Sequence, residues 1–314
     1  MRRVLWAANV RTKPFAERLA AAVAGGFTEM SIFPLDVRRF GDAGLPAKRL
    51  RALAAAQGVR ISVLDPYTRW GPDTTPPAWA SASDLAFVDF GEDDVLRMAE
   101  ALGVESINLI ETWGHAVDPD AGAERFAAFA DRAAHYGWRT QLECMPFSGI
   151  PDLAAAWDIV RRADRPTGGL TVDSWHYFRG NRDDALLARI PGARMFQVQL
   201  ADATWALRGS SLVDDLLHHR LLPGDGEFPL PAFVRALRAT GGLTSVGVEL
   251  FSDMIDARSA VDVGRLIGDG LTAALAVAGV SGEGGQTPAG ASLAATTRAA
   301  SAGADTSAGH AGGA

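Results

Sequence analysis

The amino-acid sequence predicts an α/β protein: a single-domain, eight-stranded parallel (β/α)8 barrel with its site at the C-terminal ends of the strands. Three observations carry this expectation. Short β-rich runs alternate with helical runs eight times between about residues 4 and 280, the signature of βα units around a parallel sheet. Glycines stand where the helical runs stop. Carboxylates and amides interrupt the last four apolar strands near their ends, where barrels of this class build their sites. A chain of 314 residues, 48% hydrophobic and 21% charged, has the apolar material for a core of that size. A doubly wound open sheet shares the alternation, but eight units in one chain favour closure.

In chain order, strands are expected over residues 4–8, 28–33, 60–64, 106–110, 140–144, 170–173, 195–200 and 245–250. Apolar residues recur at spacings of three and four over 15–24, 124–136, 153–162, 232–239 and 261–277, which predicts helices there. Gly58, Gly103, Gly137 and Gly241 fall where a left-handed helix cap is wanted. Two long connections, 65–92 and 203–230, leave C-terminal strand ends and are candidate lids. After residue 280 the composition turns to Gly, Ala, Ser and Thr, too poor in large apolar groups to offset the entropy of ordering. The expected organisation is a barrel over 1–280 and a disordered tail over 281–314.

Composition bounds the function. The formal net charge is −7, which opposes the broad basic face that phosphate contacts require, so no nucleic-acid partner is expected. Of the 30 basic residues only Lys13 and Lys48 are lysines, and neither lies in a strand, which leaves no Schiff-base lysine for an aldolase. Cys144 is the single cysteine, so no internal disulfide forms. No apolar run is long enough to span a bilayer, and the start becomes polar too soon for a secretory signal. The expectation is a cytoplasmic enzyme with a small-molecule substrate and no membrane partner; a homo-oligomer is left open.

Glu143 ends Thr140-Gln141-Leu142-Glu143, Asp173 ends Leu170-Thr171-Val172-Asp173, Gln199 sits in Phe196-Gln197-Val198-Gln199, and Glu249 sits in Val246-Gly247-Val248-Glu249. Burying ionised carboxylates in a barrel mouth is costly unless a cation compensates. Three carboxylates and one amide oxygen form a hard donor set, which suits Mn²⁺ or Mg²⁺ first and also admits Co²⁺ or Zn²⁺. His176 follows Asp173 by three residues, so a histidine titrating near neutrality would stand ready to polarise or protonate a substrate oxygen. Glu111, Trp113 and His115 follow the fourth strand, and Arg208 lies in the second long loop; Glu111, Trp113 and Arg208 are candidate substrate contacts. Trp6, Trp113, Trp175 and Trp205 fall at or beyond strand ends, either as packing over the barrel or as a wall for a ring. Cys144, next to Glu143, should point the other way along its strand and belong to the core.

These motifs, with Val172-Asp173-Ser174-Trp175-His176, Val198-Gln199-Leu200-Ala201-Asp202 and Arg220-Leu221-Leu222-Pro223-Gly224-Asp225-Gly226, resemble those of the xylose-isomerase-like sugar phosphate isomerase/epimerase superfamily of TIM barrels, over about residues 4–277. The resemblance implies that Glu143, Asp173, Gln199 and Glu249 hold the metal. It further implies that Glu143 and Glu249 flank the substrate carbon as catalytic groups and that His176 touches a substrate oxygen. Many epimerases of the superfamily place His where this chain has Gln199; hydroxypyruvate isomerase and dehydroshikimate dehydratase relatives place Gln. The implied chemistry is removal of a proton beside a carbonyl, with the metal stabilising the enediolate. Isomerisation or epimerisation of a sugar, cyclitol or related hydroxy-carbonyl compound is the first expectation, and loss of a β-hydroxyl, a lyase reaction, is the alternative. An endonuclease-like site would need several strand-end histidines, a non-catalytic barrel would not need an intact ligand set, and a subunit of a larger C-glycoside-cleaving enzyme would need a partner.

Overall fold

The computed structural model describes residues 1–280 and shows a closed parallel barrel. Its strands are β1 (Arg2–Leu5), β2 (Glu29–Ile32), β3 (Arg60–Tyr67), β4 (Ser106–Leu109), β5 (Arg139–Glu143), β6 (Gly168–Asp173), β7 (Met195–Leu200) and β8 (Ser245–Val248). Each pairs with its sequence neighbour, and β1 closes on β8 with Arg2 opposite Ser245. The expected tail over 281–314 lies outside the described residues.

Helices cover the outside of the barrel. Phe15–Ala24 follows β1, Pro119–Ala134 follows β4, Leu153–Ala163 follows β5, Leu230–Ala239 precedes β8 and Ala260–Val277 ends the barrel. Local chemistry sets their limits. Asp118 accepts hydrogen bonds from the backbone N–H groups of Asp120 and Ala121, with Pro119 at the first helical position. Gly58, Gly103, Gly137 and Gly241 all have φ between 70° and 79°, the left-handed conformation their positions predicted. The last helix crosses the first so closely that a Cβ on Gly264 would lie 2.0 Å from the Ala21 carbonyl oxygen, and glycine there lets the ring of helices close.

Strand alternation divides the residues into two populations. Leu142, Leu170, Val172, Val198 and Leu200 face the helices in the main apolar core. Ser106, Asn108, Gln141, Thr171, Gln197 and Gln199 are buried polar residues on the alternate positions, so the barrel interior is polar. Trp6, fully buried, sits with Val4 and Val63 in a separate apolar cluster. Its indole lies against Gly247, where a Cβ would approach the ring to 2.7 Å.

β1 is three residues shorter at its C-terminal end than the sequence suggested, because the chain turns into a 3₁₀ segment at Ala7–Val10. Ser31 Oγ accepts the Ala7 N–H, and the Asn9 side chain bridges the Val248 carbonyl and the Leu250 N–H. Both long connections carry a short helix, Ala82–Val88 in the first and Leu212–His218 in the second. No helix among the described residues is long and apolar enough to cross a membrane.

Candidate active site

The mouth of the barrel is assembled from strand ends. Glu143 closes β5 and Asp173 closes β6; register places Asp173 beside Gln199, and Gln199 beside Gly247. Asp173 also caps the short helix Ser174–Arg179, accepting the His176 N–H at 2.9 Å. That capping turn explains the Asp-Ser-Trp-His spacing, because it folds the imidazole back over the strand end. His176 Nε2 comes to 3.4 Å from Glu143 Oε1. Ligand atoms of Glu143, Asp173 and His176 lie within 4.8 Å of one another, and all three residues are buried.

Arg220, fully buried, ties the opposite side. Its Nη1 donates to Asp173 Oδ2 at 2.9 Å and lies 3.3 Å from Glu249 Oε2, while Nη2 meets His176 Nε2 at 3.3 Å. The guanidinium is sandwiched by the rings of Trp175 and Phe251, 5.1 and 5.5 Å from its carbon. The backbone beneath it is pinned by Asp202, whose N–H and C=O exchange hydrogen bonds with Leu221. The Asp202 carboxylate accepts from the N–H groups of Ala203, Gly224 and Phe228. The Leu-Ala-Asp and Pro-Gly-Asp-Gly motifs are thus two halves of one staple that aims Arg220.

Two further residues complete the floor. The ladder between β3 and β4 shifts register between Leu64 and Tyr67, and Asp65 turns toward the interior. Asn108 Nδ2 donates to Asp65 Oδ1 at 2.8 Å and to Glu143 Oε2 at 2.6 Å, while its Oδ1 accepts from Thr171 Oγ1 at 2.8 Å. One amide thus holds two carboxylates in place.

Asp65, Glu143, Asp173 and Glu249 bring four buried carboxylates to one mouth, met by the Arg220 guanidinium. Burial pushes the Asp65 carboxyl up to about 6, with Asp173 adding repulsion. Burial also raises Glu143 and Glu249 well above the usual carboxylate range; Glu249, Asp65 and Asp173 reinforce the rise at Glu143, and Arg220 opposes it at Glu249. His176 is driven down to about 3 by burial, with Asp173 pulling it up and Arg220 pushing it down. The imidazole is therefore neutral at pH 7, and the expected titration near neutrality gives way to a group that acts by hydrogen bonding.

The donor chemistry fits a divalent cation. Negative charge exceeds positive in a buried mouth, and neither amide atom of the fully buried Gln199 has a hydrogen-bond partner among the described residues, nor does His176 Nδ1. Glu143, Asp173 and His176 offer ligand atoms close enough to share an ion, and Arg220 engages both Asp173 and Glu249 beside them.

Above the floor lies a cavity of about 530 Å³ reached by Asp65, Glu143, His176, Arg220 and Glu249. Trp113 lines it, and the candidate contacts Glu111 and Arg208 do not. The Glu111 carboxylate is consumed by the backbone N–H groups of Trp113, Gly114, His115 and Gly149, so it shapes the loop after β4. Arg208 is exposed on the second long loop, its own N–H bonded to Asp215. The tryptophans divide: Trp6 and Trp175 are buried packing, Trp113 is wall, and Trp205 is half exposed against Phe228. Cys144 is buried in the core, and its thiol is raised far above its ordinary value by burial.

The 3-dehydroshikimate dehydratase of Pseudomonas aeruginosa is 30% identical over 250 residues, which are 76% of this chain and 36% of that protein's length. The chain therefore spans little more than a third of that relative. The inosose isomerase of Bacillus velezensis is 29% identical over 133 residues, 42% of this chain and 46% of that one. Among solved structures, the IOLI protein with a bound zinc atom superposes with a TM-score of 0.75 at 16% identity, covering 88% of this chain and 98% of that one. The family described as xylose isomerase-like TIM barrel matches residues 19–268. With the barrel closed and its strand-end carboxylates gathered, the chain belongs to the xylose isomerase-like TIM barrel family.

Proposed function

We propose that this chain is a divalent-metal-dependent enzyme that moves a proton at a carbon beside a carbonyl of a hydroxy-carbonyl substrate. The observation that carries the reading is the pair Glu143 and Glu249, both buried, both raised, and facing one cavity from β5 and β8. Raised carboxyls can take and return protons near neutral pH. In this reading Glu143 and Asp173, with Gln199 beside them, hold the ion, which supplies positive charge for the oxygen that becomes anionic. Glu249 takes the proton from substrate carbon, and its ion pair with Arg220 keeps the acceptor oxygen oriented. Arg220 and neutral His176 donate hydrogen bonds to substrate oxygens, and Asn108 fixes the second carboxylate, Glu143, that returns a proton.

Return of the proton gives isomerisation or epimerisation; departure of a β-hydroxyl as water gives dehydration. The second outcome has its own support in the dehydratase likeness, which extends over three quarters of the chain. The test is a screen of ketoses, inososes and dehydroshikimate with the metal-loaded chain in heavy water, read by NMR. Deuterium beside the carbonyl is the expected result, and a product smaller by one water, seen as new aromatic signals from dehydroshikimate or as a dicarbonyl from a ketose or inosose, would identify dehydration. No exchange and no product with any substrate would count against proton transfer.

A further inference from the structure

The floor of the cavity is charged, but its wall is of another kind. Phe33, Phe87, Trp79, Trp113, Phe147 and Leu216 rise from it, contributed by the strand ends and by both long connections. The rings pack against one another: Phe33 meets Phe87 edge-on at 5.7 Å, and Trp79 meets Trp113 at 5.8 Å. A polyol held here would need a polar partner for each hydroxyl it brought out of water. The wall offers few. Asp84 and Ser83 line it, but Asp84 is engaged in the capping box with Ser81, and Ser83 Oγ bonds Ser81 Oγ. Thr112 and the exposed Arg39 are the other polar groups of the wall. At the rim, Trp79 is 68% exposed and Val213 43% exposed, apolar surface that a bound ring would cover.

We infer that the substrate is a hydroxy-carbonyl compound carrying an aromatic or other apolar ring, with its oxygens on the floor and the ring against the aromatic wall. The identity of the oxygen-bearing head rests on the proton-transfer reading; the ring rests on the wall alone. The volume of about 530 Å³ is within the range that encloses a ligand of this size.

The test compares two probes with the same hydroxyketone head, hydroxyacetone and 2-hydroxyacetophenone, titrated into the Mg²⁺-loaded chain by ligand-observed NMR. Burying a phenyl ring in place of a methyl group is expected to tighten Kd roughly 10- to 100-fold. Trp79→Ala, at a largely exposed position that leaves folding intact, is expected to narrow that ratio severalfold. Equal affinities, no measurable binding of 2-hydroxyacetophenone, or a ratio unmoved by Trp79→Ala would overturn the inference. Solvent deuterium uptake in the same tubes reads the other claim separately. Ring preference without uptake supports the ring and contradicts proton transfer, whereas uptake without ring preference does the reverse.

Discussion

Arg220 is the residue on which most of the site converges, since one guanidinium touches Asp173, Glu249 and His176. A lysine keeps the charge but loses the planar fork, so Arg220→Lys leaves at least one of these partners without its donor. Each lost hydrogen bond to a charged group is worth ~1.5–3 kcal/mol. Steady-state kinetics of Arg220→Lys are therefore expected to show kcat/KM down about 10- to 100-fold, with Asp173 and Glu143 still holding metal; wild-type kinetics would show that the fork is not used. Glu143, Asp173, Gln199 and Glu249 were legible in the sequence because a polar residue ending an apolar strand is a conflict that asks for a cause. Arg220 was visible only as part of a motif, since its burial is set by a loop returning across the mouth. Asp65 depends on a register shift, and Asn108 on two carboxylates from neighbouring strands, neither of which the sequence displays. Glu111 and Arg208 misled for the complementary reason: nearness to a strand end does not say what a side chain is bonded to.

Connections decide what the strands can use. Asp202 accepts three backbone N–H groups across the return from β7 and so fixes the approach of Arg220 from a distance. Asp202→Ala should loosen that turn, lowering kcat/KM about tenfold while metal content is retained, because three carboxylate hydrogen bonds are lost away from the ligands. Elemental analysis beside steady-state kinetics would check this; loss of metal together with activity would mean that the turn supports the ligands instead. The helices Pro34–Asp42, Ala47–Ala56 and Glu92–Leu102 were not singled out in the sequence, but the strands and the helices that were are placed to within about five residues, since period and glycine caps are local signals. The end of β1 falls short of its expected position, because Ser31 and Asn9 draw the chain into its 3₁₀ turn through partners far along the sequence. The short helices inside the two long connections were missed for want of length: Ala82–Val88 and Leu212–His218 span only about two turns each.

For the molecule as a whole, closure of the barrel followed from the count of eight units, whereas the aromatic wall arises where two connections distant in sequence meet over one mouth. The gathered carboxylates should govern stability. Asp65 titrates near 6 in the folded chain against 3.8 ordinarily, and Glu143 and Glu249 move the same way. The folded state therefore holds more protons than the unfolded one, so the contribution of Asp65 is present below about pH 4 and is lost as pH rises through about 6, and those of Glu143 and Glu249 are likewise lost as pH rises above the usual carboxylate range. The metal-free chain is expected to melt lower at about pH 7.5 than at about pH 5. A divalent ion, which binds the ionised carboxylates, should raise Tm more at the higher pH, and it adds ~2.7 kcal/mol of stability at a hundred times its Kd. Calorimetry with chelator and with Mn²⁺ checks both; a melting temperature that climbs with pH in the metal-free chain would contradict the charge account. Because Ala260–Val277 already closes the ring of helices, truncation after Gly282 is expected to leave Tm within a few degrees and activity unchanged. A large fall in either would show that residues 283–314 contribute to the barrel.

The most direct measurement for the proton-transfer account is turnover and metal content of Glu249→Gln on one sample. Glutamine preserves size and an oxygen but cannot take a proton, and general-base contributions are typically ~10²–10⁴-fold. The account predicts about one divalent ion per chain in both proteins, with turnover and solvent deuterium exchange lowered by that factor in the variant. Near-normal turnover in Glu249→Gln with metal in place would contradict proton transfer by this pair.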